Sequence, residues 1–162
     1  MISTSAKRLT FSVVLLILAA MFLVAASLTY SSRPAFAGHL VGVDECGTLT
    51  VVTLLAGQTI DAGTVTIAND DINLYVTFST TSPWLLSETH VHVGDSLEDI
   101  PQTKKGNPKV GRFDYQTEHD PVVNEFTYVI PLAGFDDVIV VAAHAVVVQL
   151  DGGGNVVEEE TG

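Results

Sequence analysis

From Leu49 onward the chain alternates apolar and polar residues over short runs, and Gly, Pro and Asn-Asp pairs punctuate it at close intervals. Val and Thr dominate those runs, and no stretch carries a convincing helical period. Alternation of this kind predicts strands. They are expected at Leu49–Leu55, Gly63–Ala68, Ile72–Thr80, Trp84–Val93, Val122–Leu132 and Val138–Leu150, with a short one at Gly111–Tyr115. Asn69-Asp70-Asp71 lies between two alternating runs and predicts a hairpin turn. Val138–Leu150 (VIVVAAHAVVVQL) is apolar on both faces, the pattern of a central strand covered on each side. The expected fold is all-β: an antiparallel β-sandwich of about six to eight strands, jelly-roll or immunoglobulin-like.

The N-terminus follows a different pattern. Lys7 and Arg8 precede an almost unbroken apolar run from Phe11 to Ala26, and a polar stretch then ends in Ala35-Phe36-Ala37. A basic start, an apolar middle and an A-x-A end are the parts of a secretory signal peptide. Residues 1–37 are therefore read as a signal-peptide helix cleaved after Ala37, the alternative being an uncleaved membrane anchor. Both readings place the working domain, residues 38–150, outside the cytoplasm as a secreted or cell-surface protein. Residues 151–162 (DGGGNVVEEETG) are either an acidic tail or a final hairpin.

Removing the signal changes the charge. It holds Lys7, Arg8 and Arg33 and no acid, so 19 acidic residues face 4 basic ones and the net charge moves from −12 to −15. A surface this acidic disfavours nucleic acid and anionic lipid and attracts cations. All four remaining cations, Lys104, Lys105, Lys109 and Arg112, fall in one long loop, Glu98–Arg112. That loop is the candidate partner-binding element, for an extracellular protein, a polysaccharide or another copy of the chain. Cys46 is the single cysteine, which rules out an internal disulfide and reads as a small buried hydrophobe.

The chemistry worth weighing lies in SETHVHVG, residues 87–94. Side chains two apart on a strand share a face about 7 Å apart. Alternation therefore groups Trp84, Leu86, Glu88, His90 and His92, and His144 projects from the central strand. If the two strands pair in register, Glu88, His90, His92 and His144 converge as nitrogen and oxygen ligands suited to Zn2+. The competing reading is structural: the imidazoles are held by hydrogen bonds inside the sandwich. Ca2+ is a separate option, because Asp70, Asp71, Asp95, Asp136, Asp137 and Asp151 all fall at turns, although turns favour Asp anyway. Catalysis has little support: there is no Gly-x-Ser-x-Gly elbow, no reactive-cysteine signature and no phosphate-binding glycine loop. The cupin metal pattern fails too, since no glutamate follows His92 at the required distance.

The stretches AGTVTIANDDINLYVTFSTTSPWLLSETHVHVG, IPQTKKGNPKVGRFDY and VVAAHAVVV, in that order, resemble a module that recurs in exported and surface proteins of bacteria and archaea. The likeness runs from about Gly63 to Val148. It rests on Glu88, His90 and His144, with Gly106, Asn107, Pro108, Gly111 and Phe113 in the loop; His92 falls outside the pattern. It implies an extracytoplasmic β domain and supplies no catalytic residue.

Overall fold

The computed structural model describes residues 10–13 and 49–162. Two four-stranded antiparallel sheets face each other across one core. The strands are β2 (Thr50–Ala56), β3 (Ile60–Asn69), β4 (Asn73–Thr80), β5 (Leu85–Gly94), β6 (Tyr115–Val123), β7 (Glu125–Pro131), β8 (Val138–Leu150) and β9 (Val156–Thr161). One sheet has the order β2-β3-β4-β7 and the other β9-β8-β5-β6. A further short strand, β1 (Thr10–Val13), adds to β8 in parallel. The fold is thus an all-β sandwich, as the alternating runs predict.

Burial follows the pleat. Ile67, Leu74, Val76, Phe78 and Ile130 from one sheet meet Leu86, Val91, Ile139, Val141 and Val147 from the other, each essentially inaccessible to water. β8 lies between β5 on one edge and β9 and β1 on the other, and its inner face (Ile139, Val141, Ala145 and Val147) enters the core. Its outer face carries a second, smaller cluster: Val140 and Ala142 packed with Ile100 and Phe113. These last two belong to the loop between β5 and β6, which lies across the sheet.

The turns follow from local chemistry. Between β3 and β4, the Asp70 carboxylate accepts hydrogen bonds from Ile72 N (2.7 Å), Asn73 N (2.6 Å) and the Tyr75 hydroxyl (2.7 Å). Such side-chain bonding to nearby backbone amides is why Asp suits turns. Burial tends to raise the Asp70 pKa, but these donors outweigh it and hold the pKa below the usual carboxylate value. Gly63 sits beside the irregularity between Leu54 and Leu55, with φ +147°, and the Ser79 carbonyl approaches so closely that a Cβ would collide with it.

Two expectations change, one of two alternatives is selected, and one reading falls almost wholly outside the described residues. The run Val122–Leu132 is two strands, broken at Asn124, where the chain leaves one sheet for the other; the Asn124 carbonyl instead accepts from Thr80 N at 2.8 Å. The strand expected at Gly111–Tyr115 is a 3-10 turn, Val110–Arg112, leading into β6. Residues 151–162 form a final hairpin with β8, turned at Asp151, whose carboxylate accepts from Gly153 N and Asn155 N. The segment read as a signal peptide lies outside the described residues except for Thr10–Val13. These four are a strand and not helix, as suits Thr, Phe and Val offered an open ladder edge. The cleavage site and Cys46 also lie outside the described residues.

Candidate functional site

Strands β5 and β8 pair antiparallel with His90 directly opposite His144. The register needed to bring the sequence-derived candidates together is therefore present. Simple alternation fails at one point, however. Leu86 pairs with Val147 and Glu88 with Val146, so Ser87 is an extra residue, a β-bulge. The bulge turns Trp84 and Leu86 inward to the core and sends Glu88, His90 and His92 to the outer face. The imidazoles consequently do not point into the sandwich interior. They lie on the outer surface of the β5–β8 pair, partly roofed by the loop.

On that face His90 is 4 % exposed, and its Nε2 lies 2.9 Å from Glu88 Oε1. A carboxylate only accepts, so Nε2 is the donor in this contact, which leaves the other ring nitrogen, Nδ1, to find its own partner. Among the described residues that Nδ1 is buried and without a hydrogen-bond partner, and so is Nδ1 of His144. The two rings meet edge-on with centroids 5.4 Å apart. Burial, then the nearby His90 charge, lowers the His144 pKa to about 4, against a smaller opposing pull from Glu88. His144 is therefore a neutral imidazole at ordinary pH.

His92 is directed elsewhere. Its Nε2 donates to the Asp99 carbonyl at 3.1 Å, its ring packs on Phe113, and Asp114 Oδ2 lies 3.2 Å from Nδ1 without hydrogen-bond alignment. Its contacts anchor the loop to the sheet. The cluster that forms is therefore Glu88, His90 and His144, without His92. Among the described residues no three His, Cys, Asp or Glu side chains are arranged to hold a metal ion.

The loop residues have defined places as well. Thr103 N donates to Asn107 O at 2.8 Å, Lys109 N to Pro101 O at 2.8 Å, and Gln102 bridges to Pro108, making a small hairpin. Lys104 and Lys105 occupy its tip, where Gly106 has φ +84°. Both are exposed, as is Arg112, while Lys109 is half-buried. None of the four forms an ion pair among the described residues. On β9, across the sheet, Glu158 and Glu159 are exposed and Glu160 is half-buried.

Of the turn aspartates, Asp70 and Asp151 cap their own turns, and Asp95 Oδ1 accepts from Asp136 N at 2.8 Å. Asp70, Asp71 and Asp136 also border a cavity of about 330 Å3 with Leu132 and Phe135.

One network escaped the sequence reading. Thr89 is fully buried on the inner face of β5. Its hydroxyl lies 3.0 Å from His119 Nε2 and 2.9 Å from the Tyr128 hydroxyl, which itself donates to the Thr89 carbonyl at 2.8 Å. Since the Tyr128 proton goes to that carbonyl, Thr89 donates to Tyr128 Oη and accepts from His119 Nε2–H. Burial lowers the pKa of His119, which favours the neutral ring. Glu118-His119-Asp120-Pro121 reads as a turn, so only the tertiary structure reveals that His119 reaches the core.

No protein-family model, curated protein or solved structure matches this chain.

Proposed function

We propose that the protein is an exported, non-catalytic surface or matrix module that assembles with itself or grips an extracellular protein or polysaccharide. The observation that carries this reading is the separation of charge. Four cations gather on one loop of a domain that is otherwise acidic, and three glutamates line its last strand. Opposite charge on separate patches favours head-to-tail contact, which builds rings or open filaments. The finer architecture within this reading is jelly-roll-type: β5 pairs with β6 in one sheet while β4 pairs with β7 in the other, a long hairpin folded across both layers.

The test is light scattering of the processed chain across salt and calcium concentrations. Association is expected at low ionic strength and is expected to weaken as the screening length falls from about 10 Å at 0.1 M to about 3 Å at 1 M. Replacing Lys104, Lys105, Lys109 and Arg112 by Glu should abolish the salt-sensitive part. A strict monomer under every condition, with no binding to polysaccharide, would remove the reading. Strengthening by Ca2+ would assign the turn aspartates a role.

A second reading, a transition-metal protein using Glu88, His90 and His144, is favoured by one observation. His90 Nε2 meets a carboxylate while its Nδ1 is buried without a partner, the arrangement in which a carboxylate orients a metal-binding histidine. Isothermal titration with Zn2+ should then give near-stoichiometric binding that His90→Ala lowers at least about tenfold. Equal, weak binding by both proteins would dispose of it.

A further inference from the structure

The outer face of the β5–β8 pair holds two buried nitrogen atoms with an unmet need. His90 and His144 stand opposite each other on one rung, and among the described residues neither Nδ1 has a hydrogen-bond partner. His90 is 4 % exposed, whereas His144 is only half-buried, so the pair is deep at one ring and open at the other. Buried polar atoms without partners are rare in native proteins, and each calls for a cause such as an ion or a water.

We infer that the two Nδ1 atoms of His90 and His144 form a two-coordinate site for copper(I) between β5 and β8. The inference rests on the transition-metal reading and names both the ion and its donor atoms. The spacing fits. With metal–nitrogen bonds of about 2 Å and each nitrogen roughly 1 Å from its ring centre, two rings sharing one ion lie about 5 to 6 Å apart. The centroids of His90 and His144 are 5.4 Å apart. Their planes are inclined by 67°, and an ion held by two imidazoles tolerates any twist between them.

The number of donors selects the ion. Glu88 Oε1 lies 2.9 Å from Nε2 of His90. The two nitrogens of an imidazole point away from each other, so an ion at Nδ1 is beyond the reach of that carboxylate. Glu88 therefore orients the ring from behind and is not a ligand. His92 is held by the Asp99 carbonyl and by Phe113. On the other side of His90, Gln116 commits its amide nitrogen to the Phe113 carbonyl at 2.7 Å. Among the described residues no three His, Cys, Asp or Glu side chains form a set of ligands. Zinc sites use three or four protein ligands, which this rung does not supply. Copper(I), a closed-shell monocation, is satisfied by two nitrogen donors, and imidazole suits copper. Charge points the same way. One positive charge is offset by Glu88, whereas a dication would leave net charge in a largely buried place. The half-buried His144 gives the ion its way in.

The test titrates the processed chain carrying Cys46→Ser, which removes the only thiol, with copper(I) under anaerobic conditions in competition with bicinchoninate. One equivalent is expected to bind, and His90→Ala and His144→Ala should each abolish that binding. Glu88→Gln should weaken it about tenfold, the loss expected of a partner behind the ligand. Nitrogen NMR of the chain with all its histidines keeps the test independent of how the variants fold. Copper(I) should move the Nδ1 signals of His90 and His144 and leave Nε2 of His90 protonated. Zn2+ should bind at least about tenfold more weakly for want of a third ligand. Binding of Zn2+ through His90 as tight as that of copper(I) would overturn the choice of ion while the transition-metal reading stands. Copper(I) held through Nε2 of His90, or unaffected by His144→Ala, would overturn the two-nitrogen site. If neither ion binds, the inference and the metal reading both fall, and water alone meets the two nitrogens.

Discussion

Thr89→Val is expected to destabilise the domain by roughly 2 to 3 kcal/mol although it changes neither shape nor volume. The hydroxyl it removes is the only partner described for His119 Nε2, and it donates the second of the two bonds at the Tyr128 oxygen. Both groups are buried between the sheets, where an unsatisfied donor costs more than the bond itself contributed. Tyr128→Phe should cost a similar amount, because it strips a partner from both the Thr89 hydroxyl and the Thr89 carbonyl. The double variant should lose less than the two single losses combined, since the changes share one network. Urea unfolding of the four proteins measures this directly. A Thr89→Val chain as stable as wild type would show that the network is not holding β5 to β6 and β7.

Acid should weaken the fold through His144. Its folded pKa of about 4 lies below the ordinary value of 6.5, so the folded state resists protonation more than the unfolded chain does. The sign follows: stability is complete above about pH 6.5 and falls as the pH drops through 4. Each pKa unit corresponds to about 1.4 kcal/mol; allowing for the ring's partial exposure, roughly 2 kcal/mol is at stake. His144→Gln, which cannot titrate, should lose about that much less between pH 6.5 and 4. His119, lowered by its own burial, titrates in the same direction in both proteins. Parallel stability curves for wild type and His144→Gln would refute the assignment of this loss to His144.

What could be read in advance depended on how local the deciding interaction was. β8 was legible to the residue because both its faces are apolar, and the Asn69-Asp70-Asp71 turn was legible because Asp70 acts on its own neighbours. The pairing of His90 with His144 was legible as a condition on register. The bulge at Ser87 was not, since Trp84-Leu85-Leu86 offers apolar residues to either face and only packing decides which enters the core. The break at Asn124 left only a weak mark: the polar pair Asn124-Glu125 interrupts the run from Val122 to Leu132, but nothing local shows that the chain changes sheets there. The basic loop looks like solvated connection, yet Ile100 and Phe113, isolated apolar residues in a polar stretch, are what fix it to Ala142 and Val140.

The pairing of β5 with β8 joins residues about fifty positions apart, and β8 in turn is the foundation for β9. Neither the histidine face nor the final hairpin can form until almost the whole polypeptide is present. Topologies governed by such distant pairings acquire their native state slowly, on the order of milliseconds to seconds. Under the proposed export, a β5–β8 pair that closes only late would leave this part of the chain open to threading.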